Sequence, residues 1–215
     1  MKERRGSLAW LYDDFLTWLT PGGLLVTAFA LRFPQTLEIL KNEVPELILP
    51  TWFVAAYALG FGLSPLGRIV YALAQAMVWP SLRTAWTPAI KFLSEKLKRN
   101  EGLSLPDPGT MSVHVFHDVD RRLREYVEAA DHSSREMLHR MKVLCRMSCN
   151  TAASCVVFVI VDVLAGNAAT WRMTQVAIAA LIMLLAFLAA VYQERRRQRT
   201  QLSIWRREIL RTQQD

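Results

Sequence analysis

The stretch Val176-Ala-Ile-Ala-Ala-Leu-Ile-Met-Leu-Leu-Ala-Phe-Leu-Ala-Ala-Val-Tyr192 contains no charged residue, and the chain becomes charged only at Glu194 and the three arginines that follow it. Hydrocarbon offers no water to the polar groups of the backbone, so an apolar run of this length must be helical to cross a bilayer. The stretch therefore predicts a transmembrane helix, and with it an integral membrane protein.

Three further apolar stretches, at residues 15–31, 47–63 and 144–164, have lengths that suit a bilayer crossing. In the first, Pro21 and the two glycines after it predict a kink. The alternative is an interfacial helix followed by a short re-entrant piece. The second continues into residues 69–79, which we interpret as an amphipathic extension at the membrane interface, with insertion left open. The predicted fold class is all-α, a polytopic membrane protein with about four transmembrane helices.

The charge distribution predicts how these spans are organised. The domains would be an N-terminal helix pair with its interfacial extension (1–82), a cytoplasmic linker and charged helix (83–143), a C-terminal transmembrane hairpin (144–192) and a basic amphipathic tail (193–215). The net charge is +7, and nearly all basic residues fall in the segments that would face inward. The positive-inside rule then predicts a bacterial inner-membrane protein with both termini in the cytoplasm, which four crossings satisfy.

Two segments outside the spans carry candidate interaction residues. Residues 112–146 predict a charged helix whose apolar positions recur every three or four residues, a spacing typical of a helix that packs on a partner. The arginine-rich tail predicts a helix that lies along anionic lipid of the inner leaflet. The candidates on the cytoplasmic interaction helix are Phe116, Leu123, Val127, Met137, Met141, Arg121, Arg122 and Arg124, and those on the lipid-facing tail are Arg195, Arg196, Arg197 and Trp205.

The third span is unusually polar for a transmembrane helix. Intramembrane carboxylates such as Asp162 are costly and are often functional, although this one could also be a solvated helix end. The pore or interhelical candidates are Asp162, Ser154, Thr151, Asn150 and Ser148. Small residues on the second span, Gly60, Gly62 and Ala56, predict a face for close helix packing, within one subunit or between subunits.

The sequence offers little for catalysis or metal binding. His114, His117 and Asp118 supply only two or three metal ligands, and an acidic residue is favoured at a helix start in any case. The three cysteines fall within about three helical turns, which predicts reduced, buried residues rather than a disulfide framework. Phosphate loops and nucleophile elbows are absent from the sequence. We therefore expect no enzymatic activity, metal or cofactor. We also expect no nucleic-acid binding, because basic residues that face anionic lipid at the inner membrane surface explain the positive charge of the chain.

The order of the segments along the chain resembles that of other membrane proteins. The segments concerned are residues 49–63, the charged helix from Phe116 to Met137 that leads into the third span, and the basic tail. Together they resemble a loose class of small bacterial four-pass inner-membrane proteins. Some of these are accessory or effector components of anti-phage systems, including CRISPR-associated membrane proteins and four-pass effectors of nucleotide-signalled defence. The resemblance implies a role in defence and no catalytic residue.

Three functional hypotheses follow. The first is a non-enzymatic homo-oligomeric membrane protein that perturbs or permeabilises the inner membrane, as a defence effector. The alternative is a scaffold subunit that recruits a cytoplasmic protein partner through its charged helix. A transporter or membrane-embedded enzyme is less favoured, because transporters show repeated broken helices and the two halves of this chain do not resemble each other.

Overall fold

The computed structural model describes residues 15–32, 45–101, 132–164 and 170–212, together with the single residues 35, 38 and 42. The described residues are helical throughout apart from the turn residue Leu63, and no strand occurs among them, so the all-α fold class is confirmed. A π-helical turn, Phe15–Leu19, precedes the first helix, and a 3₁₀ turn, Pro45–Leu47, precedes the second. The α-helices are α1 (Thr20–Arg32), α2 (Ile48–Gly62), α3 (Ser64–Glu101), α4 (His132–Leu164) and α5 (Thr170–Thr212).

The chain forms two compact units. Unit 1 comprises Met1–Ala72 and Val143–Ala190, and unit 2 comprises Leu73–Lys142 and Val191–Asp215. The helices α3, α4 and α5 therefore each contribute residues to both units. The sequence had predicted divisions after residues 82, 143 and 192.

In unit 1, α1 and α2 approach each other closely and run antiparallel. Gly22 of α1 abuts the backbone of Ala56 and Gly60, and a Cβ atom at Gly22 would overlap the Ala56 carbonyl oxygen. Further along α1, the indole Nε1 of Trp52 lies 3.4 Å from Thr27 Oγ1, to which it donates. Since later residues of α1 meet earlier residues of α2, the two helices have opposite directions. The missing glycine side chain is what allows this approach.

The segment after α2 is a single long helix with a bend at its start. The axis turns by 49° between Pro45–Gly62 and Ser64–Phe92, at Leu63. Pro65 lies in the first turn of α3, where its missing N–H leaves no intrahelical bond unmade. Pro80 and Pro88 lie inside α3, and both are exposed. Residues 69–79, whose depth the sequence left open, belong to this continuous helix.

Unit 2 has its own apolar core, built on α3. The rings of Phe92 and Trp205 meet edge to face, with centroids 6.0 Å apart. Trp86 is fully buried, and large side chains at three- and four-residue spacing along α3 form the greater part of the cluster. The buried residues of this core are Val78, Trp79, Leu82, Trp86, Ala89, Ile90, Leu138, Leu202, Ile204 and Trp205.

Among the described residues, two helical stretches are long and apolar enough to cross a membrane, Glu136–Leu164 and Thr174–Arg207. A third possible span is the bent helix pair formed by Pro45–Gly62 and Ser64–Phe92, if the two helices are counted as one crossing. Large apolar side chains of α5 that are more than half exposed are Ile178, Leu181, Leu184, Leu185 and Leu188. A surface so rich in exposed hydrocarbon suits lipid rather than water. The prediction of helices able to span a membrane is thus confirmed.

Candidate functional site

The polar face of α4 forms a row of contacts with the π-helical turn and α1. Asn150, Ser154, Phe158 and Asp162 follow one another in four-residue steps, so they share one face of the helix. Their partners advance along the chain in the same order: the carbonyls of Thr17 and Pro21, the ring of Phe29, and Arg32. Because both series ascend, α1 and α4 run parallel within unit 1.

The first contact compensates for a backbone defect at Pro21. In an α-helix the carbonyl of Thr17 would accept a hydrogen bond from the residue four positions later, but that residue is Pro21, which has no N–H. The side chain of Asn150 takes its place, with Nδ2 donating to Thr17 O at 2.9 Å. Asn150 is buried, and Gly67 at the start of α3 leaves room for its Oδ1, because a Cβ there would overlap that atom.

Ser154 makes the second contact of the row. Its hydroxyl lies 3.0 Å from Pro21 O and 2.9 Å from Asn150 O, and it is buried. It therefore links α1 to the preceding turn of its own helix. Of the other two polar candidates on this helix, Ser148 is buried and Thr151 is half-buried.

Asp162 forms an interhelical ion pair with the last residue of α1. Arg32 Nε donates to Asp162 Oδ1 at 2.9 Å, and the side chains are 24% and 3% exposed respectively. A charge-assisted hydrogen bond between the ends of two parallel helices fixes their relative register. Of the two roles left open by the sequence, a solvated helix end does not describe this carboxylate, whereas interhelical pairing does.

The small-residue face on α2 consists of two different surfaces. Ala56 and Gly60 are buried against the α1 segment, and a Cβ on Gly60 would overlap the carbonyl oxygen of Trp18. Gly62 is exposed, and a Cβ added there would meet nothing within 4 Å. Gly62 therefore does not share the packing face of Gly60 and Ala56 within the subunit, because two successive positions along an α-helix turn by about 200° and so place Gly62 on the side opposite Gly60.

Unit 2 contains a buried polar network that the sequence analysis missed. The carboxylate of Glu194 receives two hydrogen bonds from Arg197, at 2.9 Å from Nε and 2.7 Å from Nη2. Gln198 Nε2 donates to the same carboxylate at 2.8 Å, and Gln75 Nε2 of α3 lies 3.4 Å from it. Gln201 Oε1 accepts from Arg197 Nη1 at 3.1 Å. All five side chains are buried, so charges that are expensive to desolvate are here paired and bonded.

This network corrects part of the predicted lipid-facing tail. Arg197 is 1% exposed and Trp205 is 4% exposed, so neither faces lipid. Arg195 and Arg196 lie on the exposed face of the same helix. A spacing in the sequence could have predicted this inward face. Steps of four, three and four residues, typical of one face of a helix, separate Glu194, Gln198, Gln201 and Trp205.

The predicted cytoplasmic interaction helix is described only at its C-terminal end. Met141 is buried and Met137 is 39% exposed, while Leu138 is 3% exposed. At this end of α4, Leu138 and Met141 therefore lie on the buried face of the helix, whereas Met137 does not. The remaining candidates lie outside the described residues, as do His114, His117 and Asp118; these candidates are Phe116, Leu123, Val127, Arg121, Arg122 and Arg124.

The three cysteines all lie on α4. Cys145, Cys149 and Cys155 are buried and form no disulfide, and Cys145 Sγ lies 3.5 Å from the carbonyl of Ala190. Within residues 15–32, 45–101, 132–164 and 170–212, no three His, Cys, Asp or Glu side chains come together in a way that could hold a metal ion.

Comparison with protein-family models, with curated proteins and with solved structures found no match to this chain. The function is therefore inferred from the geometry of the chain's own residues.

Proposed function

We propose that the chain is a non-enzymatic membrane-anchored interaction subunit, which holds a protein partner at the cytoplasmic face of the bacterial inner membrane. The observation that carries this proposal is the continuity of α5, a single helix from Thr170 to Thr212. Its first part is apolar and exposed, and its last part carries arginines. The apolar anchor and the arginines are thus carried by one helix.

Helix directions in unit 1 support the four-pass topology that this function requires. α1 runs antiparallel to α2 and parallel to α4. Cys145 lies near Ala190, and Phe158 belongs to one buried cluster with Ala179, so α4 and α5 run antiparallel. The segments therefore alternate in direction, as four successive crossings would. Both termini are then on the side where the basic residues concentrate, the cytoplasmic side by the positive-inside rule.

The exposed arginines of α5 supply the proposed docking surface. Arg195, Arg196 and Arg199 are exposed beside a buried face that is held by the Glu194–Arg197 pair. Because the inward groups are bonded to one another, this part of α5 keeps the three arginines on its outward face. Such a surface suits an acidic protein partner, with anionic headgroups of the inner leaflet as the competing ligand.

A second candidate function is self-association that perturbs the membrane, the first hypothesis from the sequence. The open space around Gly62 favours it, because Ala58 is also exposed one turn earlier. Small residues four apart on an exposed transmembrane face permit close approach of a second helix. In this candidate Asn150, Ser154 and Asp162 stabilise each subunit and do not line the conducting path. We propose a defence response as the setting of this activity, on the basis of the layout shared with anti-phage membrane proteins.

One experiment separates the two candidates. The full chain is expressed in bacteria, the membrane potential is recorded, and cross-linked partners and particle mass are measured after transfer to nanodiscs. The interaction subunit predicts that the triple charge reversal Arg195→Glu, Arg196→Glu and Arg199→Glu abolishes partner capture while the membrane potential never changes. A control with the same change in net charge reverses Arg206, Arg207 and Lys91, which are also exposed.

Self-association predicts a different pattern. The wild-type protein alone would form a defined multimer and depolarise cells, and Gly62→Phe would abolish both effects while the arginine reversals left them intact. A monomer that neither captures a partner nor depolarises cells, in the presence or absence of phage, would contradict both candidates.

A further inference from the structure

Unit 1 contains an apolar groove between α1, α4 and α5 with a volume of about 390 Å³. Its floor includes Leu25, Phe158 and Ala179, which are buried, and its walls include Leu24 and Ile178, which are about half exposed. This volume lies within the range of ligand pockets, roughly 300–1,000 Å³. The groove is therefore large enough for a ligand.

The groove runs along the helix axes. On α1 its lining extends from Leu24 to Leu31, and on α5 from Gln175 to Ile182. Seven residues of α-helix span about 10 Å, whereas one leaflet of the hydrocarbon core is about 15 Å thick. A channel of this length, parallel to helices that cross the bilayer, has the direction and reach of a lipid acyl chain.

One end of the groove is polar. Gln175 lines it there, and among the described residues no group donates a hydrogen bond to its buried Oε1. A buried amide oxygen without a donor is costly, and a hydrogen-bonding group from outside the described residues would remove this cost. Leu31, at the same end on α1, directly precedes Arg32 of the interhelical ion pair. The polar end thus lies at the predicted outer boundary of the spans.

We propose that this groove binds one acyl chain of a bilayer phospholipid, whose headgroup donates a hydrogen bond to Gln175 Oε1. The hydrocarbon fills the space between Leu24 and Ile182, where water would find few polar partners. The ammonium group of phosphatidylethanolamine and the free hydroxyl groups of phosphatidylglycerol are headgroup donors of the required kind. The bound lipid would complete the packing of unit 1, independently of any protein partner.

The test uses the full chain in nanodiscs of phosphatidylethanolamine and phosphatidylglycerol, doped with a phospholipid that carries a photoreactive acyl chain. We expect cross-links concentrated at Leu24, Phe158 and Ile178, saturating at one lipid per chain. They should exceed those at Leu184 and Leu188, which are exposed on α5 outside the groove lining, by about tenfold. Cross-links spread evenly over all five positions would overturn the proposal.

Two substitutions extend the test to retained lipid, measured by native mass spectrometry after delipidation. Ala28→Phe fills the groove and should lower retained phospholipid about tenfold, whereas Ala189→Phe on the exposed face of α5 should leave it unchanged. Gln175→Ala should keep the chain bound but remove the preference for a headgroup with a donor over phosphatidylcholine. Retention of detergent alone, or occupation by a second copy of the chain, would contradict the proposal. If Ala28→Phe fails to fold, the wild-type cross-linking map decides.

Discussion

Breaking the Arg32–Asp162 pair from its two sides should have unequal costs. Asp162 is 3% exposed at its side chain, so Arg32→Ala would leave a buried carboxylate without its cation. Loss of one member of a buried pair costs about 3–5 kcal/mol, and we expect about 3 kcal/mol here because this pair is not fully buried. Asp162→Asn keeps an acceptor oxygen and leaves a guanidinium that is 24% exposed, so about 1 kcal/mol is expected.

The double variant Arg32→Met with Asp162→Leu removes both charges. Replacing a buried ion pair by apolar residues of similar volume is often neutral, so this variant should unfold close to the wild-type midpoint. The free energy of unfolding is measured for all four proteins in detergent micelles by circular dichroism, and the cycle gives the coupling energy. We expect coupling of about 2 kcal/mol, within the range for contacting residues.

The cycle also tests the role of Asp162 directly. Equal costs for the two single variants, or coupling below about 0.5 kcal/mol, would refute the account of an interhelical pair. A pore-lining role makes a different prediction, namely that Asp162→Asn alters ion conduction while the unfolding midpoint stays unchanged. Measuring potential and stability on the same variants separates these explanations.

Three further predictions concern helix packing. Asn150→Ala should lower the free energy of unfolding by about 1–3 kcal/mol, because the buried carbonyl of Thr17 loses its donor. Adding Pro21→Ala should recover part of that loss, because alanine restores the missing N–H. A double variant that is no more stable than Asn150→Ala would contradict this. Gly60→Ala should destabilise the protein by about 1–3 kcal/mol through overlap with backbone, whereas Gly62→Ala should stabilise it by about 0.5–1 kcal/mol, as measured by thermal unfolding. Arg197→Ala should cost about 3–5 kcal/mol, while alanine at an exposed neighbouring arginine stays within about 0.5 kcal/mol; similar unfolding midpoints for the two would contradict burial of the ion pair.

The apolar spans could be predicted from sequence because their composition is a local property. The run from Val176 to Tyr192 forms part of α5, and the third stretch lies within α4. The importance of Asn150, Ser154 and Asp162 was predicted for a similar reason, since polar groups in hydrocarbon need partners. Their partners were not predictable, because they are set by the register of α1 against α4. No local pattern identifies the Thr17 carbonyl as the acceptor for Asn150.

The tail was misread because the same amphipathic pattern fits two environments. A helix with arginines on one face and Leu202 and Trp205 on the other can lie on lipid or pack on protein. The sequence offered a way to decide between them. Glu194 lies four residues before Gln198 and eleven before Trp205, on the apolar side of the helix, where a carboxylate would be unfavourable next to anionic lipid. An acidic residue on the apolar face indicates a protein interior with a paired cation, which Arg197 provides.

The distribution of polar contacts determines which functions remain credible for a single subunit. In unit 1, the amide of Asn150, the hydroxyl of Ser154 and the carboxylate of Asp162 are each bonded to α1 or to the turn before it. Opening a path for ions along this face would require all three interactions to break together, at a combined cost of several kcal/mol. A conducting state would therefore have to form between subunits, and the exposed face around Gly62 is where the described residues permit close contact with a second copy. If multimers never form, we expect the polar face of α4 to be purely structural, and the proposal that the arginine-bearing part of α5 binds a partner is then favoured.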